Sequence, residues 1–270
     1  MKPSARSAAR AVRPAACAGR FYPATEQELR SHLRACLAAV PSAEGPVPKA
    51  IIAPHAGYVY SGPIAASAYA RLAAGREVLR RVVVVGPSHY ASFTGLATTL
   101  VDDFATPLGR VPVDKEALTQ LRDLAEVHPD EEAHRPEHCL EVQLPFLQTV
   151  LEDFRLVPLL VADTSDAQVV RVLETLWGGA ETCVVVSSDL SHYHHYEAAR
   201  QLDAATAHAI ETLRAEDLDS EQACGCGAVR GLLRVARGHG LRCHTLDLRN
   251  SGDTAGPRDR VVGYGAFALA

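Results

Sequence analysis

Three short runs constrain this chain more than anything else in it: "AIIAP" at 50–54, "RRVVVVGP" at 80–87 and "TCVVVSSD" at 182–189. Each is too short for a helix, rich in β-branched residues, and apolar on both faces of an extended chain. That is the pattern of a strand covered on both sides, as in the parallel sheet of an α/β protein. "RLVPLLVA" at 155–162 reads the same way. The segments between them carry helical patterns, so strands alternate with helices and the sheet takes helices on both faces.

Local signals place the helices. Thr25 and Glu28 form a capping box at the start of a helix, and Ser61 followed by Pro63 reads as the opening of a second. "EHCLEVQLPFLQTVLEDF" at 137–154 reads as one helix with Pro145 in its interior, and 96–114 as short extended segments. Helices are also expected over "SDAQVVRVLETLWGG", "YEAARQLDAATAHAIETL" and "GAVRGLLRVARGHG", with strand-like "RCHTLDLRN" and "RVVGYGAFALA" at the end. No repeat and no compositional break divides the chain. The expectation is a basic disordered tail over 1–13 and one α/β domain over 14–270, an αβα sandwich around a mostly parallel sheet.

A net charge of -5 argues against a general nucleic-acid surface, and no apolar run approaches the length of a membrane span. Seven cysteines at irregular spacing in a chain large enough for its own core read as reduced thiols, which points to a cytoplasmic protein.

In open α/β sheets ligands sit beyond the carboxyl ends of the strands. Three strand ends here carry histidine: His55 in "PHAGYVYSG", His89 in "GPSHYASF", and His192, His194 and His195 beyond Asp189 in "SSDLSHYHHY". Convergence of these ends would gather imidazoles at one edge, and neutral imidazole is the commonest ligand for iron, zinc or copper. His192 lies nearest the strand end, where pairing with Asp189 would orient it as an acid or base. His194 and His195 are expected to be exposed. The segment "HRPEHCLEVQLPF" adds His134, Glu137, His138 and Glu141, either as a helix start with favourable acidic residues or as a wall of the site. "ACGCG" at 223–227 places Cys224 and Cys226 one residue apart, consistent with a metal claw, a redox pair or two unrelated small residues.

In order along the chain, "AGRFYP", "IIAPHAGYVYSG", "VVGPSHY", "FATPLGRVPVD", "EHCLEVQLPFLQ", "VVSSDLSHY" and "ACGCGAV" together resemble the MEMO family, with the resemblance covering about 14–270. The resemblance implies a fold similar to the LigB-like class III extradiol dioxygenases. It implies metal ligands at His55, His89 and Cys224, leaves Cys226 a bystander, and gives Asp189 and His192 the acid/base role. His138, Glu141, Tyr58 and Tyr90 are then expected around the substrate.

A thiolate in place of a carboxylate alters the preferred metal, with Fe(II) expected first and copper or zinc as alternatives. Three functions stay open. One is a non-haem metal oxidoreductase acting on a small molecule, with O2 as a possible co-substrate. The second is a non-catalytic adaptor working beside AMMECR1-like and radical SAM proteins. The third is a zinc hydrolase.

Overall fold

The computed structural model describes residues 10–41 and 45–270. The chain begins with β1 (Val12–Arg13), α1 (Glu26–Ala38), β2 (Ala50–Ala53), α2 (Tyr58–Leu72) and β3 (Arg81–Pro87). There follow β4 (Leu96–Thr98), β5 (Asp103–Thr106), β6 (Gly109–Pro112), α3 (Lys115–Gln120), β7 (Val127–Pro129) and α4 (Glu131–His134). Next come α5 (Leu144–Val150), β8 (Arg155–Val161), α6 (Asp166–Leu176), β9 (Thr182–Ser187) and β10 (His192–His194). The chain closes with α7 (Tyr196–Glu211), α8 (Cys226–Gly238), β11 (Cys243–Asn250) and β12 (Val261–Leu269).

The sheet order is β10-β12-β2-β9-β3-β8-β4-β7, with β11 on the other side of β12. The four inner strands β2, β9, β3 and β8 run parallel, and antiparallel β12 and β4 flank them. Alternation along the strands sorts the core into two layers. Val82 and Val84 face Leu33, Ile64, Tyr69 and Phe146 from α1, α2 and α5. Val83 and Val85 face Val169, Leu173, Ile210 and Leu232 from α6, α7 and α8. Each fully buried valine contributes about 1.5–3 kcal/mol by leaving water, so the runs that marked the strands also supply both halves of the core. The result is an αβα sandwich.

Helix starts differ in detail from the sequence expectation. Thr25 caps α1 as expected, accepting from the Glu28 backbone N–H. The second helix begins at Tyr58, three residues early, and the Ser61 hydroxyl donates to the Ala56 carbonyl instead of capping. The single helix expected over 137–154 does not form. Residues 135–140 are irregular, a 3-10 turn covers Glu141–Gln143, and α5 starts at Leu144 with Pro145 in its first turn. Proline has no N–H to give a preceding turn, so it opens this helix rather than interrupting it.

The amino-terminal boundary differs too. Residues 1–9 of the expected tail lie outside the described residues, but residues 10–13 belong to the fold. Val12 and Arg13 pair in parallel with Asp103 and Phe104. Arg13 is buried, donating to the carbonyls of His134 at 2.7 Å and Glu137 at 2.6 Å and to the Glu141 carboxylate at 2.5 Å. Glu141 is itself fully buried and also accepts from the Ala16 and Cys17 backbone N–H groups and the Tyr22 hydroxyl.

Two predictions follow from this packing. Arg13→Ala strands the Glu141 charge without its cation and should lower unfolding stability by about 3–5 kcal/mol in a denaturant titration. His134 is buried with Nε2 against the Ala97 carbonyl, and burial pulls its pKa down to about 4 from an ordinary 6.5. Between those values the unfolded chain takes up a proton that the folded chain refuses. Stability should therefore fall as pH drops from 6.5 towards 4, and His134→Gln should flatten that part of a pH–stability curve measured by thermal unfolding.

Candidate metal centre

Three parallel strands deliver the centre. His55 follows β2, His89 follows β3, and Ser187, Ser188 and Asp189 end or follow β9, which lies between them. His138 comes from the irregular 135–140 segment laid across these ends. One ring nitrogen from each of His55, His89 and His138 lies within 4.8 Å of the others. The ring centroids are 5.1 Å apart for His55–His89, 5.4 Å for His55–His138 and 4.5 Å for His89–His138.

Hydrogen bonds decide which nitrogen of each ring is free. Glu137 Oε1 lies 2.9 Å from His89 Nδ1 and 3.1 Å from His138 Nδ1. The His89 contact is a well-formed hydrogen bond, whereas His138 Nδ1 approaches off the hydrogen-bond line. A carboxylate only accepts, so His89 Nδ1 carries the proton and its Nε2 keeps a lone pair. The same carboxylate receives the backbone N–H groups of His89 at 2.7 Å, His138 at 2.9 Å and Cys139 at 3.1 Å. Burial alone would raise the Glu137 pKa, but the donors from His138 and His89 outweigh it and hold the carboxyl well below the usual carboxylate range.

His55 is set by a longer relay. Gln143 donates its amide to the Pro54 carbonyl and to Ser187 Oγ, and Ser187 donates its own proton to the Cys139 carbonyl. Ser187 Oγ can then only accept from His55 Nδ1, 2.9 Å away, so His55 too is the Nδ1–H tautomer. Burial brings its pKa down to about 4, which keeps the ring neutral at neutral pH. Three imidazoles, those of His55 and His89 anchored through Nδ1 by a hydroxyl and a carboxylate, are a donor set a transition metal takes, and the two anchors are the partners such ligands ordinarily have.

Cys224 sits beside His55, its Sγ 3.2 Å from Nε2. Burial, reinforced by Asp189, pushes its pKa up to about 12, so the group is a thiol that donates to the free His55 nitrogen. Gly225 makes the approach possible: a Cβ there would lie 2.7 Å from Ser188 Cβ and 2.8 Å from the Ser187 carbonyl oxygen. Its N–H instead donates to Ser188 Oγ at 3.0 Å. Among the described residues, the sets of donors mutually within 4.8 Å are His55–His89–His138 and His89–Glu137–Cys139, and Cys224 belongs to neither. The structure therefore groups His138 with His55 and His89, where the family resemblance implied Cys224, and of these three rings the sulfur is hydrogen-bonded to His55. Cys226 begins α8 and is buried in the core, and all seven cysteines are free.

Other expected site residues are placed differently. Asp189 does not pair with His192. Its Oδ1 accepts the backbone N–H groups of His55 at 2.7 Å and Ala56 at 3.3 Å, because the turn after β2 presents them to the end of β9. Glu141 cannot contact a substrate, being fully buried with its oxygens engaged by the amino-terminal segment. Tyr58 is also buried, and its hydroxyl donates to the Val142 carbonyl at 2.6 Å. Tyr90 is exposed, with its ring edge-on to His138 at the mouth. His192 is half-buried and lines a cavity of about 370 Å³ together with His138, Asp189, Phe21 and Tyr60, while His194 and His195 are exposed. Phe21 stacks on the His138 ring with centroids 4.4 Å apart.

The hub that sequence reasoning left undefined is Glu137. The signal was its position directly before His138, but assigning 137–154 to a helix turned it towards Glu141 instead of His89.

Among known proteins, the family profile described as Memo-like protein matches residues 13–268. A "MEMO1 family protein" of Aeropyrum pernix is 37% identical, the match covering 96% of this chain and 99% of that protein. One from Aquifex aeolicus is 35% identical over 94% of this chain and 97% of its own length. One from Nitrosopumilus maritimus is 32% identical over 95% and 98%. Among solved structures, the uncharacterized protein JW3007 from Escherichia coli K12 aligns with a TM-score of 0.52 at 15% identity, covering 81% of this chain and 98% of that one, which is a likeness of fold. Matched nearly end to end by the profile and by these relatives, the chain belongs to the MEMO family.

Proposed function

We propose that this protein is a metal-dependent oxidoreductase of dioxygenase-like type, acting on a small molecule in the cavity beside His138. The observation that carries the reading is the convergence of three imidazoles, two of them with Nδ1 bonded to a fixed hydroxyl or carboxylate acceptor. One ring nitrogen of each lies within 4.8 Å of the others, and His138 also lines a cavity of about 370 Å³. His55, His89 and His138 would hold the ion, and Cys224, already touching His55, would add a thiolate on losing its proton. Imidazole nitrogens with one soft sulfur suit iron or copper, and Fe(II) is the proposed metal. Bound there, the ion would supply redox chemistry towards O2.

The chain's own residues do the rest. Glu137 and Ser187 aim the rings of His89 and His55, and Asp189 fixes the turn that carries His55. His192 stands at the cavity wall outside this network, free to take or give a proton to a bound molecule. Phe21 covers one side of His138 and limits water at that ring. A cytoplasmic location and partnership with AMMECR1-like and radical SAM proteins belong to the same proposal. None of the described helices is long and apolar enough to cross a membrane.

The test is metal content after anaerobic purification, followed by reconstitution with Fe(II), Cu(I) or Zn(II). His55→Ala and His89→Ala should abolish stoichiometric binding, and Glu137→Gln should weaken it by about 10–100-fold. Cys224→Ser should retain metal with a changed absorption spectrum, through loss of the sulfur donor. His192→Ala should keep full metal and lose reductant-dependent O2 uptake. Full metal content in the His55 and His89 variants would sink the site. Stable zinc with no O2 uptake by any reconstituted form would favour hydrolysis over redox chemistry.

A further inference from the structure

The cavity beside His138 has a wall that the metal reading does not use. Arg260 lines it, and its guanidinium lies over the Tyr193 ring, 4.8 Å from the centroid. Arg260 is exposed and takes part in no ion pair among the described residues, unlike Arg13, Arg81 or Arg230, each of which is matched to a carboxylate. Tyr193 is held in the left-handed region at φ 63, one of two non-glycine residues with positive φ among the described residues, and 63% of its surface is exposed. A tyrosine in that conformation is strained, and such strain is retained where the surrounding structure imposes an orientation. Here the orientation stands the ring at the cavity mouth under the arginine.

The remaining wall is aromatic. Phe21, Tyr60 and Tyr264 line the same cavity as Tyr193, and His138 closes its floor. The one acidic group among the described residues of the wall, Asp189, is buried and holds the backbone N–H groups of His55 and Ala56 with Oδ1, whereas Arg260 is exposed to an incoming molecule. A flat ring fits between aromatic faces, and a planar guanidinium pairs with a carboxylate through two parallel hydrogen bonds.

We propose that the cavity binds a small aromatic carboxylate, its carboxylate on Arg260 and its ring among Phe21, Tyr60 and Tyr193, pointing its far edge at His138. As the substrate class of the metal-dependent reaction this rests on the function proposed above. The anion contact itself needs only Arg260 and exists without metal.

The experiment is calorimetric titration of metal-free and Fe(II)-loaded protein with benzoate, and with benzamide as its uncharged isostere. Benzoate binds both forms, and benzamide binds at least about tenfold more weakly. Arg260→Gln loses the preference for benzoate, Arg260→Lys keeps part of it, and Tyr193→Ala weakens both probes while leaving the preference. Arg260 is on the surface, so these variants should unfold at the wild-type temperature, which a thermal scan checks. Equal binding of benzoate and benzamide, no binding of benzoate, or an undiminished preference in Arg260→Gln would overturn the proposal. If metal binding fails while benzoate still discriminates through Arg260, the redox reading falls and the anion site stands. The reverse result removes the anion site alone.

Discussion

The Glu141 carboxylate, fully buried and matched to Arg13 at 2.5 Å, is the interaction on which the arrangement of the site depends. A charge so far from water is tolerable only with a full set of donors, and Glu141 collects them from Arg13, Ala16, Cys17 and Tyr22. That requirement ties the amino-terminal segment to the middle of the chain. Through its bonds to the carbonyls of His134 and Glu137, Arg13 also fixes the irregular segment that carries His138. Phe21, on the same amino-terminal stretch, stacks on His138 as a result. The parallel strands position His55 and His89, and this buried pair positions the third imidazole.

Electrostatics then divides the donors into two kinds. Burial makes His55 a neutral base, with its pKa down at about 4, and makes Cys224 a poor acid, with its pKa up at about 12. Both shifts come from the cost of charge away from water. In the metal-free protein the two groups satisfy each other, the thiol donating to the imidazole across 3.2 Å. His55 could ligate without giving up a proton, whereas the sulfur could not. Were a metal to bind as proposed, entry of the thiolate would be coupled to proton release, and binding would tighten as pH rises.

Which parts of this were readable in the sequence follows from the range of the forces involved. The strands at 50–53, 81–87 and 182–187 were legible because each is apolar on both faces, a property of adjacent residues. His55 and His89 were legible with them, since a strand's end is where an α/β sheet exposes its side chains. Arg13 was not: a cation in an Ala- and Ser-rich stretch has no local mark distinguishing it from a solvated tail, and its partner lies 128 residues away. Asp189 was recognised as a site residue but given the wrong partner. The nearest histidine in sequence is His192, while the nearest donors in space are the backbone N–H groups of His55 and Ala56, brought alongside by the pairing of β2 with β9. The family resemblance supplied Cys224, whose contact with His55 no local rule could have found.

The segment 135–143 shows why the helix reading had to fail there. In a helix Glu137 and Glu141 would share one face, and so would His134 and His138. The site needs the opposite. Glu137 must turn to His89 while Glu141 turns to Arg13, and His138 must leave His134, which is buried against Ala97, to face His55. The N–H groups of His138 and Cys139 are donated to the Glu137 carboxylate. Pro145 allows the regular helix to begin only after these residues have been placed. A stretch with helical composition is thus kept irregular by two buried carboxylates, and that irregularity is what brings a third imidazole to the strand ends.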